Sequence, residues 1–137
     1  MYESSLELTM LMWASILYVL QIAIGAVAAD IQNGIAWGIG NREVTPAAQG
    51  WGGRANRAYV NMAESLLPFA CLVLIAHSLG RTGDWSALGA EVFLVSRLAY
   101  AVLYIAGIKV LRSLAYFGGI AGMILIIVQL YPAPSFT

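Results

Sequence analysis

Residues 8–29 read LTMLMWASILYVLQIAIGAVAA, a stretch with no charged residue between Glu7 and Asp30. About 20 apolar residues in a helix cross the ~30 Å hydrocarbon core of a bilayer, so this stretch predicts a membrane span. A secretory leader begins with positive charge and has a shorter apolar core. Here Glu3 and Glu7 come first and the run is of spanning length, so Ala26 and Ala28 are read as part of a retained helix and not as a cleavage site.

Three further spans follow, at about 55–79, 85–106 and 110–131. The composition agrees: of 137 residues, 61% are hydrophobic and 10% charged, with mean hydropathy +0.79, against ~25% charged in an average soluble domain. The chain is expected to be an integral membrane protein. Its apolar runs lack the period-two alternation of a barrel strand, and open sheets leave backbone groups unsatisfied in lipid. The fold class is therefore all-α: four transmembrane helices in an antiparallel up-down bundle, forming one domain over residues 1–137. Gly80 to Asp84 and Gly107 to Ile108 are short links between adjacent helices. Asp30 to Gly53, rich in Gly, Asn, Gln and Pro, is the one long loop.

The formal net charge is zero, which leaves no footprint for nucleic acid and no polybasic lipid-binding tail. A single cysteine, Cys71, excludes an intrachain disulfide and is read as a small buried hydrophobe. Arg42, Arg54 and Arg57 cluster between spans one and two, and Lys109 and Arg112 between spans three and four, whereas the other side has Arg81. The positive-inside rule then places both termini on the non-cytoplasmic side.

Charge inside a span points to function by default, since an ionised group near the bilayer centre costs at least ~2.5 kcal/mol. Arg57, Asn61 and Glu64 share one helix face at i, i+4, i+7; Arg97, Tyr100 and Tyr104 share another at i, i+3, i+7; Arg112 and Tyr116 add a third at i, i+4. At a ~1.5 Å rise per residue, Glu64 and Arg97 both lie ~13 Å inside their spans. The three stripes start at the cytoplasmic side and reach about the middle, outlining a polar pocket closed at its far end by apolar helix and suited to a small anionic ligand. Structural roles compete with this reading. Glu64 and Arg97 form a buried ion pair fixing helix register in one alternative, with Asn61 as interhelical glue. The tyrosines can be packing aromatics, Trp51, Trp85 and Tyr131 interfacial anchors, and Arg112 a snorkelling side chain.

Residues 54–69, RANRAYVNMAESLLPF, resemble the second-span signature of the MAPEG family, the membrane-associated proteins of eicosanoid and glutathione metabolism. The resemblance continues through RLAYAVLY at 97–104 and RSLAY at 112–116, which are similar to segments of microsomal glutathione transferases and prostaglandin E synthase. It covers essentially the whole chain, and Gly40-Asn41-Arg42-Glu43 fits the bacterial branch. The resemblance implies a homotrimer that binds glutathione as co-substrate between protomers, in a bacterial inner membrane, with the active site open to the cytoplasm. It implies glutathione contacts from Arg57, Asn61, Glu64, Arg97, Tyr100, Tyr104 and Tyr116. Arg112 and Ser113 are the implied catalytic pair, with Arg112 stabilising the thiolate.

Two features depart from the family pattern. Asp30, Gln32 and Asn33 stand where eicosanoid-pathway members have an arginine that holds a glutathione carboxylate, and Val60 and Tyr100 replace an Arg and a His found in some members. The expected activity is a glutathione transferase or peroxidase acting on a lipophilic electrophile or peroxide from the bilayer. The alternatives are a non-catalytic protein of the same fold that binds another amphiphile or a partner, and a small ion or proton carrier. His77 is read as an interfacial or packing residue, and no metal site is expected.

Overall fold

The computed structural model describes residues 5–131; Glu3 and the two chain ends lie outside the described residues. It is entirely helical over its regular elements: α1 (Leu6–Asn33), α2 (Ile35–Ile39), α3 (Gly50–Ser78), α4 (Asp84–Ala106) and α5 (Lys109–Leu130). All but α2 are long and apolar enough to cross a membrane. Their bounds match the expected spans to within a few residues, with two differences. α1 continues past Ala29 to Asn33, and α2 occupies part of the expected loop. α2 is a single short turn of helix, held by Trp37 Nε1 donating to Val44 O at 2.6 Å and by the Arg42 guanidinium 5.0 Å from the Trp37 ring centre.

Each end is set by local chemistry. Ser5 Oγ accepts from the Leu8 amide at 3.2 Å, capping the first turn of α1. Gly107 ends α4 in the left-handed region at φ 81°, a conformation that costs a glycine little, and the chain re-enters α5 two residues later. Arg54 Nε donates to Ile105 O at 2.9 Å, placing a cation on the last carbonyls of α4, where the helix dipole is negative.

The helices meet through small and aromatic residues. Phe69 and Phe93 stack at 3.8 Å between ring centres, 8° from parallel, within a core that includes Ala14, Met62, Val73, Ala90 and Ile126. α4 and α5 pack most extensively of any pair. Gly89 and Gly122 face each other there so closely that a Cβ on Gly122 would stand 2.8 Å from Phe93 N. Small residues spaced by four, as in Gly118 and Gly122, bring membrane helices into this kind of backbone contact. At the other end Ser86 Oγ accepts from the Gly83 amide at 2.8 Å and donates to the buried carboxylate of Glu7, joining the starts of α1 and α4.

The outer surface is strongly apolar, with Val19, Leu67, Val95, Val102 and Leu114 all well exposed, as expected where the solvent is lipid. Cys71 is exposed and not buried, which corrects the expectation from sequence. Two residues beyond the buried Phe69 it is turned about 200° round α3, so it points away from the core.

Candidate functional site

The polar residues of α3, α4 and α5 converge on one side of the bundle. Arg97, 1% exposed and the largest fully buried side chain among the described residues, carries its guanidinium into the interior of the bundle. Its Nη2 donates to Asn61 Oδ1 at 2.8 Å, its Nε lies 3.4 Å from Met62 Sδ, and its guanidinium carbon lies 4.4 Å from the Tyr100 ring centre. An amide, a thioether and an aromatic face thus take the place of a carboxylate.

The expected ion pair between Glu64 and Arg97 does not form: Glu64 is exposed, and its carboxylate has no Lys, Arg or His nitrogen within 4.0 Å among the described residues. Equal depth did not decide the partner; rotation did. Met62 marks the buried stripe of α3. Asn61, one residue before it, flanks that stripe about 100° away, whereas Glu64 lies about 200° round the helix. Arg57, Asn61 and Glu64 do share a face, and that face is an outward border of the bundle.

Nearer the α4–α5 turn, Tyr104 is the hub. Its hydroxyl accepts from Arg57 Nε at 3.2 Å, and its ring lies 4.5 Å from the Arg112 guanidinium carbon. Tyr100, 6% exposed, sits between Tyr104 and Tyr116 with ring centres 5.4 and 6.3 Å away. Arg112, Ser113, Tyr116, Phe117, Tyr100 and Tyr104 line a cleft of about 300 Å³. Ser113 Oγ donates back to Lys109 O at 3.1 Å. A second, smaller cleft of about 130 Å³ adjoins through Tyr116 and is bordered by Asn61, Glu64, Ser65 and Pro68.

Eight of the nine residues singled out from sequence therefore lie on one strip running from Arg112 to Glu64, and the ninth, Arg97, is buried behind Asn61. Within the chain this strip is an open border, not the closed pocket expected: Arg57, Glu64, Ser113 and Tyr116 are exposed. Sequence reasoning missed Phe117 in the cleft wall and Met62 as an acceptor for Arg97. Phe117 had a signal, since it directly follows Tyr116, which its ring meets edge-on at 5.6 Å. Gln32, at the end of α1, is engaged with the loop, donating to Ala47 O at 3.1 Å and accepting from the Gln49 amide at 3.0 Å.

Chemically the larger cleft offers one guanidinium that no carboxylate neutralises within 4.0 Å among the described residues, hydroxyls beside it and an aromatic wall. An anion with an apolar neighbour fits this set, because a cation in a partly desolvated site favours the charged form of what it faces.

Comparison with known proteins agrees with the helical plan. No curated protein and no solved structure matches the chain. The model of the MAPEG family matches residues 10–131, from the first third of α1 to the end of α5. A match of that extent makes this an integral membrane protein of four spanning helices, and the chain belongs to the MAPEG family.

Proposed function

We propose that this protein is a membrane glutathione transferase or peroxidase in which Arg112 holds the glutathione sulfur as thiolate. The observation that carries the reading is Arg112 itself, braced on the Tyr104 ring at 4.5 Å and lining the cleft beside Ser113 with no acidic partner within 4.0 Å among the described residues. A free thiol has a pKa near ~8.5 and is mostly protonated at neutral pH, while the thiolate is the nucleophile. A guanidinium beside the sulfur shifts that balance towards thiolate, and Ser113 adds a donor once its hydroxyl turns from Lys109 O to the sulfur. The thiolate then attacks an electrophilic carbon, forming the carbon–sulfur bond as the leaving group departs with its electron pair, or attacks the terminal oxygen of a hydroperoxide, forming an S–O bond as the O–O bond breaks and the alkoxide leaves to take a proton; a second glutathione then converts the sulfenic acid to glutathione disulfide and water.

The remaining residues fit a tripeptide with carboxylates and an ammonium. Arg57 supplies a cation, Glu64 an anion, and Asn61, Tyr100, Tyr104 and Tyr116 supply hydrogen-bonding groups or ring faces, with Arg97 anchoring Asn61 from behind. An exposed Glu64 midway along a membrane helix calls for cover, since lipid does not solvate a carboxylate. A homotrimer of antiparallel four-helix domains, with a neighbouring protomer closing the border, meets that need. The basic connections favour a cleft on the cytoplasmic side, where glutathione is supplied, and the Gly40–Glu43 loop favours the bacterial branch and its inner membrane. Lipophilic substrate arrives from the bilayer along the Phe117 side.

A specific observation favours the non-catalytic alternative: α1 ends without a basic residue, and Gln32 is committed to Ala47 and Gln49. Calorimetry on the solubilised protein separates the two. Heat on adding glutathione, reduced for an analogue lacking the thiol, is the expected result; no heat with either ligand assigns the protein to a binding or scaffold role.

A further inference from the structure

Away from the Arg112 border, α1 and α4 leave a groove of about 280 Å³ lined by Trp13, Ile16, Leu17, Leu20, Leu94 and Leu98. Its surface is wholly apolar. One charged residue stands in register with this groove. Glu91 precedes Leu94 and Leu98 by three and seven residues, the spacing that puts all three on one helix face. Its carboxylate is exposed, and no Lys, Arg or His nitrogen lies within 4.0 Å of it among the described residues. Counting from Asp84, the first residue of α4, Glu91 is ~10 Å along the helix, at the groove end nearest the Glu7–Ser86 contact that joins the two helix starts.

From this arrangement we infer that the groove is a lipid site selective for a primary ammonium headgroup, of the phosphatidylethanolamine type. The groove takes an acyl chain, and Glu91 takes the ammonium. Three reasons single out this occupant. An unpaired carboxylate within a membrane helix calls for a cation, and the described residues supply none within 4.0 Å. The polar feature lies at one end of an otherwise apolar slot, which is the distribution of charge along a lipid and not along a helix. A primary ammonium carries N–H donors for a charge-assisted bond to the carboxylate, whereas a quaternary choline has none, and an anionic glycerol lipid is repelled. The inference does not rest on the glutathione reading, because the groove is formed by α1 and α4 and shares no lining residue with the Arg112 cleft.

The test uses the full chain in micelles doped equally with phosphatidylethanolamine, phosphatidylcholine and phosphatidylglycerol of identical acyl chains, with retained lipid counted by native mass spectrometry. Ethanolamine lipid is expected to be retained about three- to fivefold over choline lipid, the range of a partly exposed ion pair. Glu91→Gln should equalise the two, Glu91→Lys should shift the preference to phosphatidylglycerol, and Leu98→Trp should reduce retention by filling the slot. Glu91 is exposed, so its two variants read the headgroup without disturbing packing. Equal retention of all three lipids by the unaltered chain overturns the inference. So does a preference that survives Glu91→Gln, or retention unchanged in Leu98→Trp. A changed oligomeric mass in Leu98→Trp also overturns it, assigning the groove to a second copy of the chain.

Discussion

Arg97 and Asn61 meet at 2.8 Å on facing helices, so the most deeply buried cation of the described chain rests on a neutral amide. A hydrogen bond to a charged group contributes about 1.5–3 kcal/mol, and removing the acceptor leaves buried donors unsatisfied. Asn61→Leu is therefore expected to destabilise the solubilised protein by about that amount, and Glu64→Ala by less than ~1 kcal/mol. A double-mutant cycle on Glu64 and Arg97 should be additive within about 0.5 kcal/mol. Chemical denaturation of the four variants checks this, and a coupling above ~1 kcal/mol between Glu64 and Arg97 would contradict the geometry.

The α4–α5 contact makes a separate prediction. A Cβ on Gly122 meets Phe93 N at 2.8 Å, a backbone atom that cannot rotate aside. Overpacking of this kind costs typically 1–3 kcal/mol. Gly122→Ala should lower the melting temperature clearly, and Gly122→Val more so, while Ala121→Val, on the exposed side of the same helix, should not. Thermal unfolding followed by far-ultraviolet circular dichroism measures the difference.

The four spans were legible because hydrocarbon thickness imposes a length, and runs such as 8–29 and 113–131 meet it with little or no charge. Their ends moved by a few residues where capping chemistry decides, as at Ser5, while the end at Ala106, set by Gly107, stands where it was expected. The stripe Arg57, Asn61 and Glu64 was legible as a face because 3.6 residues per turn fixes it. Which way that face points depends on where the buried stripe of α3 runs, and Met62, Phe69 and Val73 became its markers only in contact with α1, α4 and α5. That one rotation explains two corrections together: Arg97 takes Asn61, and Cys71 turns outward. α2 was not legible because five residues of IAWGI carry no periodicity, and its hold on Arg42 and Val44 is tertiary.

Exposure of Cys71 bears on the topology experiment. Arg42, Arg54, Arg57, Lys109 and Arg112 predict that the α1–α3 and α4–α5 connections face the cytoplasm. With Cys71 replaced by serine, a single cysteine at Thr45, an exposed loop residue, should resist a membrane-impermeant thiol reagent in sealed cells, and one at Thr82 between α3 and α4 should react. The opposite pattern would put the Arg112 cleft on the side poor in glutathione and remove the proposed co-substrate.

Arg112 and Tyr104 supply the sharpest test of mechanism, since the ring holds the guanidinium while its hydroxyl engages Arg57. Tyr104→Phe keeps the ring and removes the hydroxyl, so it should leave Arg112 in place, preserve the ultraviolet thiolate band of bound glutathione and mainly weaken binding through a freed Arg57. Tyr104→Leu removes the aromatic face as well, a cation–π contact worth about 0.5–2 kcal/mol, and should diminish the band. Arg112→Ala should abolish it and lower turnover of a model electrophile more than it weakens binding, because each unit by which the thiol pKa rises removes ~1.4 kcal/mol of thiolate preference. Ser113→Ala should have the smaller effect of a lost neutral hydrogen bond, about 0.5–1.5 kcal/mol. The order Arg112→Ala, Tyr104→Leu, Ser113→Ala, Tyr104→Phe in loss of the band follows from charge first and placement second. If Arg112→Ala kept both the band and the rate, the thiolate would have to be held elsewhere on the strip, with Arg57 the next cation to vary.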